Sequence, residues 1–123
     1  MYRSMMQVYV KGSVEALEFY HKAFDAEILC KYISEKNGTV EHSELDVYGQ
    51  IFAISEQNDE EIITGNTMQF CLHFGEGQEA AVQKAFDVLH ENAKNYTPLV
   101  PCDWSSLFTD ITDKYGVRWC VFL

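Results

Sequence analysis

The sequence predicts an α+β fold: two tandem βαβββ modules, their eight strands curled into one mixed sheet, with two helices outside it. Three observations carry that prediction. The tetrapeptide KAFD stands at Lys22–Asp25 and again at Lys84–Asp87, sixty-two positions on. At the same offset Met6-Gln7 is repeated as Met68-Gln69, and each pair opens an apolar run, MQVYV and MQFCL. YGQIFAI at 48–54 is answered by YGVRWCV at 115–121, sixty-seven positions on, so five residues are inserted in the second half after its KAFD. The landmarks keep the same order in both halves, which identifies a repeated structural unit. A solenoid needs about three repeats, so two copies are expected to close on each other around one cavity.

Module 1 is expected at 1–56, a linker at 57–66 and module 2 at 67–123, together forming one domain. Residues 5–10 are rich in β-forming side chains and read as a strand. Ser13 is placed to cap a helix over 14–24, whose apolar stripe is Val14, Leu17, Phe19, Tyr20 and Phe24. Residues 26–35 read as a strand closed by the turn signal KNG. VEHSELDVYG and QIFAISE then form a hairpin about Tyr48-Gly49. The acidic linker ends on the turn signal Gly65-Asn66.

In module 2 a strand at 67–74 precedes a helix over 78–94. That helix is lengthened by the insertion and buries Ala81, Val82, Ala85, Phe86, Leu89 and Ala93. Pro98 and Pro101 make TPLVPCDW an irregular or edge strand. SLFTDITDK and VRWCVFL make the last hairpin, with Gly116 supplying a positive φ at the TDKYG turn. Each sheet then has one face under its helix and one bare. The bare faces are expected to line a trough, and polar side chains there are candidate site residues.

The chain has 123 residues, 47% of them hydrophobic and 14% aromatic, enough for the core of one globular domain. A net charge of −10 argues against nucleic acid and anionic membrane surfaces, which recruit clustered Lys and Arg. No basic start leads into an apolar signal region, and no apolar run nears the ~20 residues that span a bilayer. A cytoplasmic protein with no membrane partner is therefore expected. Cys30, Cys71, Cys102 and Cys120 include no CxxC and are expected to be reduced packing thiols.

The paired βαβββ units resemble the vicinal oxygen chelate superfamily, which includes glyoxalase I, bleomycin-resistance proteins and extradiol dioxygenases. GSVEALEFYHKAFDAEI is similar to the first helix of that superfamily. TDKYGVRW, with Trp104 ahead of it and the hairpin EHSELDVYGQIFAISE, resembles the PhnB-like branch. The resemblance implies a homodimer. In glyoxalase-type members it also implies a divalent metal held by four side chains, from the first and last strand of each half. Those positions fall near Met5, Thr67, Glu56 and Leu123, and only Glu56 is an ordinary ligand for such an ion.

The depleted quartet favours a first reading: a protein that binds a partly aromatic or apolar small molecule in the trough, with the negative charge drawing cations. The second reading is a divalent-metal-dependent lyase, isomerase or dioxygenase acting on vicinal oxygens, with His42 and Glu56 as the candidate catalytic and metal-holding residues. A methyltransferase is rejected, because no glycine-rich strand-to-helix turn is present.

Particular residues carry these readings. Gln7 and Gln69, repeat partners, are expected to face the trough from symmetric places and grip a polar ligand with their carboxamides. The alternative is that they bond to each other or to backbone. His42 has Glu44 two residues on and on the same strand face, so it suits a base or a metal ligand, or else a solvated strand position. Tyr9, Phe52, Phe108, Trp104 and Trp119 supply aromatic contact area or core, and Trp104 is expected at a pocket rim. A zinc site of Cys71, His73 and Cys120 is conceivable, though nothing in the spacing selects it. His21 and His90 read as surface residues.

Overall fold

The computed structural model describes all 123 residues, as two helices and nine strands. The chain divides into two compact units, Met1–Ile62 and Ile63–Leu123, and the division falls inside the expected linker.

The first unit runs β1 (Met6–Val10), α1 (Ser13–Phe24), β2 (Glu27–Ile33), β3 (Val40–Val47) and β4 (Gln50–Glu56). Its sheet has the order β1-β4-β3-β2, with β1 parallel to β4 and the other pairs antiparallel. β3 and β4 are joined through Tyr48 (φ 53°) and Gly49 (φ 89°). Two successive positive φ values match the right-handed twist of a hairpin, and the Gly49 N–H donates to Asp46 Oδ1 at 2.6 Å.

The apolar stripe of α1 buries Leu17, Tyr20 and Phe24 against Leu45, Phe52 and Ile54 of the sheet, and Tyr20 meets Phe52 edge-on at 5.0 Å. The helix begins differently from expectation. Gly12, not Ser13, is its N-cap, and no side chain of its own caps it. Ser13 is the first helical residue and fully buried. The cap comes instead from the end of β4. Glu56 Oε1 accepts from the Ser13 N–H (3.0 Å) and hydroxyl (2.9 Å), and Oε2 accepts from the Gly12 N–H (3.3 Å). Orphan N–H groups and the positive end of the helix dipole both attract a carboxylate.

The second unit runs β5 (Phe70–His73), α2 (Glu79–Leu89), β6 (Asn95–Tyr96), β7 (Val100–Cys102), β8 (Ser105–Thr112) and β9 (Arg118–Phe122). Its order is β5-β9-β8-β6, with β7 also paired to β8 and β5 parallel to β9. This is the βαβββ topology again, with the second strand in two pieces. Pro98 and Pro101 lack N–H groups and interrupt the ladder, so nine strands stand where eight were expected. They also form two mixed sheets, of four and five strands, in place of one.

The inserted residues do not lengthen α2, which stops at Leu89. They form the turn that follows, where Asn92 takes a positive φ of 53°. The core of this unit is Val82, Ala85 and Leu89 of α2 with Ile111, Trp119 and Val121. Its closing turn is organised by Asp113, which is fully buried. Asp113 Oδ1 accepts from the N–H groups of Tyr115 (2.9 Å) and Val117 (3.0 Å), and Oδ2 accepts from the Trp119 indole N–H (2.9 Å). Gly116 has φ 87° as the turn requires.

The pairing registers correct one detail of the repeat. Phe52 faces Met6 and Leu45; Trp119 faces Phe70 and Ile111. Phe52 and Trp119 are thus equivalent, and so are Met6 and Phe70. Gln7 is therefore equivalent to Cys71, and Gln69 stands one two-residue step earlier. A shift by two keeps a side chain on the same face of a sheet. The glutamines share the parity expected of them but not the position.

Candidate functional site

Strand alternation sorts the predicted residues at once. Phe52 and Trp119 point toward α1 and α2 and have no exposed area, so both belong to the cores. Glu56, equivalent to Leu123, lies on the helix side of its sheet, where it caps α1. The residues just before them, Ser55 and Phe122, lie on the opposite face and pair with Tyr9 and His73. The metal quartet implied by the resemblance does not fit these residues. Met5, Thr67 and Leu123 offer no ordinary side-chain ligand, and the carboxylate of Glu56 is taken up by the helix start.

On the face opposite α1 stand Gln7, Tyr9, Cys30, His42 and Glu44. Gln7 Nε2 donates to Ser55 Oγ (3.2 Å) and to the Val8 carbonyl (3.1 Å), which is the alternative reading of this amide. Tyr9 is exposed. Glu44 is the hub. Arg3 grips it with two donors, NH1 to Oε2 and NH2 to Oε1, each at 2.8 Å, and His42 Nε2 lies 2.9 Å from Oε1. The Arg3 guanidinium first, and His42 second, hold the Glu44 carboxyl down at about 2. Cys30 is directly across the β2–β3 ladder from Glu44. Structure thus pairs His42 with Glu44 as expected, and it separates His42 from Glu56 by the thickness of a sheet.

On the face opposite α2 the chemistry differs. Trp104 is 60% exposed and sits edge-on to Phe108 (5.1 Å) and Phe122 (4.9 Å). The His73 ring stacks on Phe122 at 4.5 Å with 14° between planes. Beside this aromatic group, Asp110 accepts from Gln69 Nε2 (3.0 Å) and from Arg118 Nε (3.3 Å) and NH2 (2.9 Å). Burial, with Cys71 adjacent, pushes the Cys120 thiol up to about 12, so it stays protonated at neutral pH.

A depression of about 460 Å³ in this unit is lined by Asn66, Asn95, Tyr96, Thr97, Asp110 and Arg118, within the usual size range of ligand sites. A smaller one, about 320 Å³, lies in the first unit against Tyr9, Glu56 and Asp59.

Sequence reasoning missed Arg3, Cys30, Asp110, Arg118 and Phe122. Asp110 faces Cys120 as Glu44 faces Ala53, so both carboxylates hold one position of the repeat, but the sequence offset of sixty-seven carries Glu44 onto Ile111 and hides it. Arg3 and Cys30 had no signal, because what joins them to Glu44 is packing across the sheet.

Solved structures share the fold. A PhnB protein from Bacillus cereus, described as a candidate 3-demethylubiquinone-9 3-methyltransferase, matches at TM-score 0.81 and 26% identity over 98% of each chain. Protein PA1353 from Pseudomonas aeruginosa matches at TM-score 0.80 and 19% identity, over 99% of this chain and 97% of that one. A mutant of the fosfomycin resistance protein FosX from Listeria monocytogenes, complexed with Mn(II) and 1S,2S-dihydroxypropylphosphonic acid, matches at TM-score 0.65 and 15% identity, over 98% and 90%. No family model matches the chain, and no curated protein matches it.

Proposed function

Proceeding from a chain that carries the vicinal oxygen chelate fold in its PhnB-like form, we propose that it is a small-molecule binding protein of the glyoxalase and bleomycin-resistance type, working in the cytoplasm as a homodimer. The observation that carries this reading is the aromatic group of the second unit, exposed Trp104 and His73 on half-buried Phe108 and Phe122, with Gln69, Asp110 and Arg118 beside it. Aromatic faces give contact area, and a few fixed polar groups give orientation. The net charge of −10 selects cationic ligands over anionic ones. No helix is long and apolar enough to cross a membrane.

The test uses the difference between the two tryptophans: Trp119 is fully buried and Trp104 exposed. Planar aromatic cations should quench the Trp104 emission saturably, and aromatic anions of similar size should not. In Trp104→Ala, calorimetry should find the cation bound at least about tenfold more weakly, the loss of ~1.4 kcal/mol or more that an aromatic contact supplies. Equal affinity in the variant would remove the basis of the reading.

The second reading, a metal-dependent lyase, isomerase or dioxygenase, draws on the Mn(II) bound by FosX. The quartet implied by the resemblance does not supply its ligands here. The methyltransferase description of the Bacillus cereus protein is not carried over, because neither unit contains a doubly wound parallel sheet.

A further inference from the structure

We infer that Cys30, His42 and Glu44 form a binding site for a borderline divalent cation such as Zn²⁺, on the face of the first sheet opposite α1. The three side chains come from adjacent strands. Cys30 of β2 faces Glu44 of β3 across the ladder, and His42 is two residues before Glu44 and so on the same face. One ligand atom from each, a sulfur, an imidazole nitrogen and a carboxylate oxygen, lies within 4.8 Å of the others. Cys30 and His42 are part-exposed and Glu44 is buried, so the group is anchored at one end and open to solvent at the other.

The donor set selects the ion. Thiolate and imidazole suit Zn²⁺ and its neighbours, whereas Mg²⁺ and Ca²⁺ take oxygen ligands. Three protein ligands leave a fourth position for water, the pattern of zinc sites that do chemistry. None of the three coincides with the positions implied by the superfamily resemblance, which lie on the first and last strands of each unit.

Arg3 provides an independent pointer. Its guanidinium, from the segment ahead of β1, lies on both oxygens of Glu44 at 2.8 Å, as a cation would. Its side chain is 45% exposed, so it can leave without unpacking a core. On binding, the thiol of Cys30 gives up its proton to solvent and ligates as thiolate, while the imidazole of His42 ligates through one ring nitrogen and carries its N–H on the other. The site is separate from the aromatic group of the second unit, so either proposal can fail alone.

Cobalt tests it, because a Co²⁺–thiolate bond gives a charge-transfer absorption. The parent chain should take up one Co²⁺ with that band, and Zn²⁺ should displace it. Cys30→Ser should lose the band, and Cys71→Ser, in the other unit, should keep it. His42→Gln should weaken binding at least about tenfold, since even outer partners of metal ligands are worth that much. Arg3→Ala should bind more tightly, because a competing cation is gone. Thermal unfolding confirms that each variant is folded, and should Cys30→Ser unfold, His42→Gln decides. A parent chain without cobalt uptake, a band surviving in Cys30→Ser, or unchanged affinity in His42→Gln would overturn the inference.

Discussion

The two units share a topology and a register but hold themselves together with different polar residues. In the first, the end of β4 supplies Glu56, whose carboxylate fastens the start of α1. The equivalent residue in the second is Leu123, which is buried, and Gln78 at the start of α2 makes no side-chain cap. The second unit instead ties its closing turn to its core through Asp113 and the Trp119 indole; the first closes the same hairpin with a two-residue Tyr48-Gly49 turn.

Their faces opposite the helices diverge in the same way. Glu44 and Asp110 occupy one position of the repeat and each is paired with an arginine, but the arginines come from different places, Arg3 and Arg118. Around that shared carboxylate the first unit gathers Cys30 and His42, and the second gathers Gln69, with the aromatic rings further along the same face. A copied fold therefore constrains parity and pairing, while the polar contacts are free to be rebuilt in each copy.

The largest test of this contrast is Asp113→Ala. It leaves the buried Trp119 N–H and two turn N–H groups without their acceptor, so a loss of about 3 kcal/mol is expected. Denaturant unfolding should show it, and hydrogen exchange should place the loss in the second unit, the first staying protected. Loss of protection spread evenly over both units would mean that they are not separately anchored.

Glu56→Ala should cost about 1–2 kcal/mol, the usual worth of a cap with a favourable dipole contact. The faster exchange should appear at the start of α1 and leave α2 unchanged. An equal effect at α2 would contradict the asymmetry of the caps.

The smallest effect is that of Glu44 in the metal-free protein. Its folded value is depressed from 4.5 to about 2. The pairing is therefore fully present above about 4.5 and is lost as pH falls toward about 2. Acid titration of stability should reveal a contribution of about 1 kcal/mol over that window, modest because Arg3 is well solvated, and Glu44→Gln should flatten it. A Glu44→Gln profile that falls as steeply as that of the parent would show that the ion pair is not holding the carboxylate.

Much of the fold was legible in the sequence. KAFD, the Met-Gln pairs and the Tyr-Gly pairs report local structure: helix ends, strand starts and turns, all set by short-range geometry. The two prolines announced the broken strand, though not that it would count as two. The inserted residues were misplaced into α2, because the end of a helix depends on which backbone groups find partners, and 90–94 found theirs in a turn. Of the candidate site, His42 beside Glu44 was legible because residues two apart on a strand share a face. The metal-holding role implied for Glu56 does not fit, because its side chain lies on the helix side of the sheet, where it fastens the start of α1.

The sequence by itself determined the tandem βαβββ plan, the hairpin about Tyr48-Gly49 and the centre of each helix stripe, though Val14 is exposed and Val88, not Phe86, is buried, because each follows from spacing along the chain. Only the tertiary structure decided that Glu56 caps α1, that Gln69 stands a step away from the place of Gln7, and that Arg3 and Cys30 meet at Glu44. Those contacts join residues about 14 to 44 or more positions apart in the chain, and contacts at that range are set by strand register and pairing, which no local pattern encodes.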